Sequence, residues 1–171
     1  MPLWAFLIII KMAKEIKLTQ GKVAIVDDDM YDYLNQFKWH AVKQSGKFYA
    51  RRHIKSSNPN IKILIHRDVM KPEKGFVIDH IDGNTLNNQK DNLRICTHAQ
   101  NIRNSKININ NTSGFKGVYW NKQSAKWYAF IRFNNKRIHL GVFFKLKDAA
   151  KSYNEGALKY HGEFANLNKI D

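Results

Sequence analysis

Cysteine is nearly absent from this chain, in which Cys96 is the only one. A single cysteine excludes an intrachain disulfide, and the lack of any Cys-x-x-Cys pair excludes a zinc ribbon or a cysteine-rich finger. The chain therefore suits a reducing compartment. Proline and glycine are also scarce, with 3 and 9 residues among 171, which excludes collagen-like and low-complexity chains.

Acidic residues are few relative to basic ones. The chain has 29 Lys and Arg against 14 Asp and Glu, so its formal net charge is +15 and its pI is about 9.9. Apolar residues make up 43% and charged residues 25%, which is a globular composition. A folded chain this basic suggests a polyanionic partner, most commonly nucleic acid, although solubility alone also accounts for a high pI. The length allows one ordinary domain or two small ones.

A long hydrophobic run is missing as well. The apolar segment 1–11 is shorter than the roughly 20 residues that span a bilayer. Its positive charge, Lys11, follows the apolar run, whereas a signal peptide has positive charge before it. Met12 begins a stretch that looks like an ordinary cytosolic start. We therefore interpret residues 1–11 as an extension upstream of the natural start or as an added strand.

The first third of the chain is predicted to form short strands. An apolar run at 22–26 ends in the acidic residues 27–29, which precede apolar residues at helical spacing and so favour a helix N-terminus over a metal site. A β-hairpin is expected around the turn 44–47, followed by a loop at 56–60 and another strand at 61–65 that leads into His66.

The middle of the chain has a more unusual pattern. A strand at 76–78 ends at Asp79 and His80, and a loop rich in asparagine follows. A short second strand is expected at 93–96. Thr97-His98-Ala99-Gln100 fits a capping box, so a helix should begin near His98.

The remainder of the chain is basic. Residues 106–113 are rich in Asn and indicate a linker, and residues 114–171 hold 11 basic and 4 acidic residues, a net charge of +7. Strands are expected near 115–121, 126–133 and 136–143, with a tight turn at Asn134-Asn135. A helix is expected at 146–161, ending at Gly162.

Asp79, His80 and Asn101 together suggest a chemical site. If the chain leaves the pleat at the strand end, Asp79 and His80 can flank one small volume, and the following helix can bring Asn101 over it. A carboxylate and an amide oxygen form an incomplete hard site that suits Mg²⁺, and a neighbouring histidine can act as a general base on water. This pattern indicates metal-assisted phosphodiester hydrolysis; the alternative is a simple Asn-rich turn.

The same stretch resembles the HNH endonuclease motif, especially its phage and intron-encoded homing branch, over roughly residues 62–105. The resemblance rests on a series of residues in order: Asp79, His80, Asp82, Gly83, Asn84, Asn87, Asn88, Asp91, Asn92, Leu93, Arg94 and Asn101.

The resemblance implies roles for four of these positions. His80 would activate the water, Asp79 would bind the metal, Asn92 would pin the loop that holds the histidine strand, and Asn101 would be a second metal ligand. Many family members have His at the position of Asn101, so one hard ion per site, Mg²⁺ or Mn²⁺, is expected rather than zinc. His98 is an alternative ligand.

The C-terminal strands alternate in character. One face of the strand at 126–133 would hold Lys126, Tyr128, Phe130 and Arg132, and the other would hold Trp127, Ala129, Ile131 and Phe133. The first set mixes cations and aromatic rings, as expected of a sheet laid into a DNA groove, although the alternation alone is also typical of an ordinary half-exposed sheet.

Residues 113–168 also resemble the AP2/ERF DNA-binding domain, through the stretches 114–118, 126–132, 140–143, 149–154 and 164–168. In that family a three-stranded sheet enters the major groove. The resemblance implies DNA contacts at Lys116, Tyr119, Asn121, Phe130, Arg132, Arg137 and His139, and the alternating face adds Lys126 and Tyr128. Lys116 stands where the family has Arg, and the groove-facing Trp is missing, so the family's target sequence does not transfer.

We therefore expect an α+β protein in two parts. An N-terminal HNH nuclease of the ββα-metal type would occupy residues 12–105, and the linker 106–113 would join it to an AP2/ERF-like domain at 114–171. That second domain would consist of a three-stranded antiparallel sheet with one packed helix.

Together the two resemblances imply a homing-type, site-directed endonuclease for double-stranded DNA. Such a protein would be encoded by a phage or mobile element and act in the cytoplasm of a bacterial host cell, without a membrane or disulfide partner. One alternative is a DNA-binding regulator with an inactive nuclease, which the intact motif residues argue against. Another is an RNA-binding protein, which leaves the nuclease motif unexplained. A monomer would nick one strand and a homodimer would cut both; the sequence leaves this open.

Overall fold

A computed structural model describes residues 12–54, 61–105 and 107–170 of the chain. The expectations for residues 1–11 and for the loop at 56–60 lie outside these ranges. The chain divides into two compact units, Met1–Cys96 and Thr97–Asp171. In the described ranges no helix combines the length and the apolar character needed to cross a membrane.

The N-terminal unit mixes short strands and short helices. Its elements in chain order are β1 (Ala13–Lys17), β2 (Val23–Asp27), α1 (Asp28–Asn35), β3 (His40–Gln44), β4 (Lys47–Ile54), β5 (Ile61–Leu64), α2 (Ile65–Met70), β6 (Val77–His80) and β7 (Leu93–Cys96). The pairs β1–β2 and β6–β7 are antiparallel hairpins, and β3, β4 and β5 form an antiparallel three-stranded sheet.

One apolar core holds the first strands and helices of this unit together. Val26, Leu34, Trp39 and Ile65 are buried in it. The indole Nε1 of Trp39 donates to the carbonyl of Leu34 at 2.8 Å, so the polar edge of this large ring is satisfied inside the core.

Helix α2 begins where the sequence pattern predicts the end of a strand. Ile65 is fully buried, and Val69, four residues later, packs against the same core, which is helical spacing. Asp68 on this helix accepts bonds of 3.1 and 2.9 Å from Arg52 on β4. The short apolar run at 61–65 fits either a helix or a strand. The tertiary contacts of Ile65, Val69 and Asp68 favour a helix from Ile65 onward.

In its described residues the C-terminal unit has one sheet, two α-helices and a short 3₁₀ helix at Gly162–Phe164. Its elements are α3 (His98–Arg103), β8 (Val118–Asn121), β9 (Lys126–Phe133), β10 (Lys136–Phe143) and α4 (Leu146–His161). The antiparallel sheet has the order β10-β9-β8, and α4 packs on it through small residues, including Ala149, Ala150 and Ala157. The turn residues Asn134 and Asn135 have φ of 48° and 60°, the left-handed conformation that a tight hairpin needs.

The boundary between the compact units differs from the predicted linker. The chain divides between Cys96 and Thr97, so α3 groups with the C-terminal unit and not with residues 12–96. Contacts of α3 with the segment that follows α4 explain this grouping. Whether the functional division follows the linker at 106–113 stays a prediction.

Candidate active site and nucleic-acid interface

The β6–β7 hairpin carries Asp79 and His80. Both residues lie within β6 in regular register, Asp79 opposite Arg94 and His80 opposite Leu93. The expectation that the chain leaves the pleat at this point was therefore wrong, because the ladder continues through His80. Neighbouring strand residues point to opposite faces, so Asp79 and His80 have different immediate partners, and their meeting at one reaction volume stays a prediction.

Asp79 is a buried carboxylate paired with a cation. Arg94 donates to its Oδ2 from Nε at 2.9 Å and from a terminal guanidinium nitrogen at 2.6 Å, and both side chains are largely shielded from water. Burial of a charge is costly unless it is paired, and Arg94 supplies the opposite charge beside Asp79. Sequence reasoning assigned no role to Arg94, although opposite charges across a two-strand hairpin are a signal for such a pair.

His80 lies on the other side of the strand among polar and aromatic groups. Its ring is 5.1 Å from that of His66 and 6.4 Å from that of Tyr49, measured between centroids. Its Nε2 lies 3.4 Å from Oδ1 of Asn88. Burial lowers the pKa of His80, and the contact with Asn88 offsets this only in part. The imidazole is therefore neutral at neutral pH, which is the form that accepts a proton.

The sequence alone did not place two other groups beside His80. His66 is buried, with no hydrogen-bond partner for its Nδ1 in the described part of the chain, and burial lowers the pKa of His66 to about 3. Asn88 is almost fully buried, and its Nδ2 donates to the carbonyl of Leu86 at 2.9 Å, which leaves Oδ1 facing His80. The motif spacing includes Asn88, but it does not show which asparagine reaches the histidine.

The side chain of Asn92 closes the loop between β6 and β7. Its Oδ1 accepts from the backbone N–H of Asp82 at 3.0 Å, and its Nδ2 donates to the carbonyl of Asn87 at 2.8 Å. Asp82 in turn accepts from Nδ2 of Asn87 at 3.0 Å. Burial raises the pKa of Asp82, but hydrogen bonds from the Asn87 side chain and the Asn84 backbone outweigh burial, so the net pKa is lowered. The loop therefore has an internal framework centred on Asn92.

Strand β2 anchors the same loop from outside. Ile25 donates to the carbonyl of Leu86 at 2.8 Å and accepts from the N–H of Asn88 at 2.7 Å. Asp27 accepts from the N–H of Lys90 at 2.7 Å. Asp27 precedes α1, as the sequence predicts, but it makes no side-chain capping bond to that helix. Its buried carboxylate instead accepts a hydrogen bond from the loop between β6 and β7.

The oxygen donors fit a sparsely ligated hard cation. Across residues 12–54, 61–105 and 107–170, no three His, Cys, Asp or Glu side chains gather into a possible metal cage. A magnesium ion needs only one or two protein oxygens because it retains several waters. The Asp79 carboxylate suits such an ion, as does the Asn101 amide by chemistry. Asn101 lies half-buried in α3 of the other unit, and its pairing with Asp79 stays a prediction.

Eight of the nine predicted DNA-contact residues share one face of the C-terminal sheet. Register pairs Tyr119 with Tyr128, Phe130 with His139, and Arg132 with Arg137. The opposite face packs against α4 through core residues. The residues on the shared face are Tyr119, Asn121, Lys126, Tyr128, Phe130, Arg132, Arg137 and His139.

The centre of this face is an aromatic platform with a cation stacked on it. Tyr119 lies 5.5 Å from Tyr128 and 5.6 Å from Phe130 between ring centroids, and Tyr128 lies 5.6 Å from His139. The guanidinium carbon of Arg137 is 3.8 Å from the centroid of Phe130. The platform thus combines π faces and positive charge, which are the groups that bases and phosphates contact.

Two residues at the edge of this face have local partners. Oδ1 of Asn121 accepts from the N–H of Ser124 at 3.0 Å and so supports the β8–β9 turn. Nζ of Lys126 lies 4.7 Å from the ring centroid of the exposed Phe144. The side chain of Arg132, at the other end of β9, is exposed to solvent.

The ninth predicted contact, Lys116, has a different position. It lies in the turn before β8, and its Nζ donates to the backbone carbonyls of Arg103 at 2.7 Å and Ser105 at 2.6 Å. Burial lowers the pKa of Lys116 to about 8. Its ammonium therefore binds backbone carbonyls at the end of α3. No short-range sequence pattern predicts this contact.

Comparison with known proteins agrees with the motif. The HNH endonuclease family profile matches residues 71–103. The chain is 30% identical over 165 residues to an uncharacterized HNH endonuclease of Acanthamoeba polyphaga mimivirus, covering 89% of this chain and 78% of that protein. It is also 38% identical over 94 residues to Protein 3.8 of Escherichia phage T7, covering 55% of this chain and 77% of that protein. No solved structure matches significantly.

The matched range contains the β6–β7 hairpin with Asp79 and His80, the loop closed by Asn92, and helix α3. The mimivirus relative extends the similarity over most of the chain. The chain therefore belongs to the HNH endonuclease family of DNA-cleaving hydrolases.

Proposed function

We propose that this protein is a homing-type, site-directed DNA endonuclease that uses one divalent ion, Mg²⁺, and His80 as general base. The observation that carries the proposal is the buried imidazole of His80, which contacts Asn88 and His66 within a motif that matches the family. General bases work best when they are unprotonated at the working pH and fixed in position. Burial lowers the pKa of His80, and its contacts with Asn88 and His66 restrict the ring, so both conditions are favoured.

Asn88 determines which nitrogen of His80 is basic. Because Nδ2 of Asn88 is engaged by Leu86, the amide presents Oδ1, an acceptor, to Nε2 of His80. With a proton on Nε2, Nδ1 is the nitrogen that would take a proton from water. The edge of His66 packs against the same ring and limits its rotation.

Asp79 and Asn101 would hold the metal ion. When bound, the ion supplies positive charge that stabilises the pentavalent phosphate and the leaving oxygen. Arg94 would orient the Asp79 carboxylate through their ion pair. Asn92 holds the loop closed, so the strand that bears His80 keeps its position.

The C-terminal unit would supply target binding as an AP2/ERF-like domain. Residues 114–171 carry a net charge of +7, and one face of their sheet gathers aromatic rings and Arg137. Phosphate contacts provide affinity, and groove contacts provide sequence preference. An HNH motif followed along the chain by a basic sheet is consistent with a site-directed enzyme.

A supercoiled-plasmid assay tests the proposal. The protein is incubated with plasmid in Mg²⁺, Mn²⁺ or EDTA, and nicked and linear products are separated. Cleavage in either metal and none in EDTA is the expected result. DNA binding without cleavage in any metal would contradict it.

A further inference from the structure

The C-terminal end of α3 is held by side chains from its own unit. A helix leaves its last carbonyls without intrahelical partners, and cations are favourable there. Here Lys116 donates to the carbonyls of Arg103 and Ser105 at 2.7 and 2.6 Å. Nδ2 of Asn166 donates to the carbonyls of Asn104 at 2.9 Å and Ser105 at 3.2 Å. Three successive carbonyls are therefore engaged.

Lys116 is itself fixed by its backbone. Its N–H donates to Oδ1 of Asn168 at 2.7 Å, and its carbonyl accepts from Nδ2 of the same residue at 3.1 Å. Asn168 is buried and forms a reciprocal pair with Asn154 on α4, at 2.7 and 2.9 Å. Hydrogen bonds thus run from the main helix of the unit through Asn168 and Lys116 to the end of α3.

Arg103 adds a third connection. Its guanidinium carbon lies 5.3 Å from the ring centroid of Phe133 on β9. The last turn of α3 is thus held by an ammonium, an amide and a cation–π contact, although a helix of six residues has little stability of its own.

We infer that Lys116 is a positioning residue of the nuclease and not a DNA contact: with Asn166 it fixes the end of α3 and so the orientation of Asn101. The inference rests on the proposed function, where Asn101 is a metal ligand. A ligand displaced by about 1 Å lowers the rate by roughly 10- to 100-fold.

The test compares full-length Lys116→Met with Lys122→Met, which removes the same charge from an exposed position in the β8–β9 turn. Three quantities are measured: duplex-DNA affinity in EDTA, cleavage rate at saturating DNA in Mg²⁺, and hydrogen exchange of the amides in 98–105. For Lys116→Met we expect unchanged affinity, a rate reduced by roughly 10-fold or more, and faster exchange in α3. Lys122→Met should leave the exchange and the rate at saturating DNA unchanged.

Asn166→Ala provides a second variant in case Lys116→Met does not fold. It removes the bonds to Asn104 and Ser105 and should change exchange and rate in the same direction by a smaller factor. Lys116→Arg, which keeps a cationic donor, should restore part of both. Agreement among these variants would support the positioning role.

Two results would overturn the inference. One is a loss of DNA affinity in Lys116→Met with unchanged exchange of α3, which would make Lys116 a DNA contact. The other is normal cleavage and normal exchange. If the unmodified protein does not cleave at all, the proposed function fails; exchange and affinity then still decide whether Lys116 holds α3 or contacts DNA.

Discussion

The rings of His66 and His80 meet edge to face, with centroids 5.1 Å apart and planes at 89°. Two imidazoles this close and this buried are stable together only when they are neutral, because neither positive charge would be hydrated and each would repel the other. Burial lowers the pKa of both, and that of His66 reaches about 3. This contact links stability to pH.

The first prediction concerns acid destabilisation. An unfolded histidine takes up a proton near pH 6.5, whereas folded His66 stays neutral down to about pH 3. Well above pH 6.5, His66 therefore does not lower the free energy of unfolding. As the pH drops from 6.5 toward 3, this group lowers the free energy of unfolding by up to about 1.4 kcal/mol per pH unit. His66→Phe should reduce that slope in urea unfolding measured between pH 7 and pH 4.

The exposed His53 provides the control for this experiment. His53→Phe should leave the slope unchanged. An identical pH slope in His66→Phe and the unmodified protein would show that His66 is not the group responsible.

The second prediction concerns the general base. His80→Ala should reduce the cleavage rate by about 10²–10⁴, because the water loses its proton acceptor. Duplex-DNA binding in EDTA should persist, since the proposed binding face lies in the other unit. The plasmid assay and a binding titration measure the two effects, with His53→Ala as control. Undiminished cleavage by His80→Ala would rule out this role.

The third prediction concerns the metal ligands. Asp79→Asn removes the carboxylate charge with little change of shape, so Mn²⁺ binding measured by calorimetry and cleavage should both weaken. Asn101→Ala should show a milder loss that excess Mn²⁺ partly restores. Asp32→Asn removes an exposed charge on α1 and serves as control. Normal cleavage by either site variant in limiting Mg²⁺ would exclude that residue as a ligand.

The fourth prediction concerns the loop framework. Asn92→Ala breaks the bonds to Asp82 and Asn87 and should lower the free energy of unfolding by about 1–3 kcal/mol, because partly buried polar groups lose their partners. The cleavage rate should fall as well. Asn84→Ala removes a single exposed side-chain bond in the same loop, to the N–H of Leu86, and should cost less. Equal costs in the two variants would argue against a central role for Asn92.

The fifth prediction concerns target reading. If Arg132 contacts a guanine edge, Arg132→Ala should weaken binding to the preferred duplex by about 1–3 kcal/mol and relax preference at that base. If it contacts only phosphate, the loss should be similar for target and scrambled duplexes. Titrations at two salt concentrations separate these cases, with Lys122→Met as the control for charge. Unchanged affinity and selectivity would remove Arg132 from the binding face.

Local features of the structure followed from the sequence. Thr97 and Gln100 form the expected capping box, with the Thr97 side chain accepting from Gln100 and Gln100 accepting from the Thr97 N–H. The Asn134-Asn135 turn lies between β9 and β10. Each feature depends on residues a few positions apart, so short-range spacing was enough to predict it.

The partners of the site residues required the tertiary structure. Asp79 faces Arg94 only because of the hairpin register, and His80 meets His66 only because residues 65–70 turn into a helix instead of continuing a strand. The sequence predicted which side chains carry the chemistry. It did not show that Arg94 lies beside Asp79 or that His66 lies beside His80.

By itself the sequence determined the chemical types at the site, the alternation of the C-terminal strands and the charge that attracts DNA, because these depend on residue identity and local period. Only the tertiary structure decided that Asp27 supports the loop and that Lys116 turns to the end of α3. Burial explains both of these contacts. A charged group that folding removes from water must find a partner, and the partner is whichever group the packing of distant segments brings within reach.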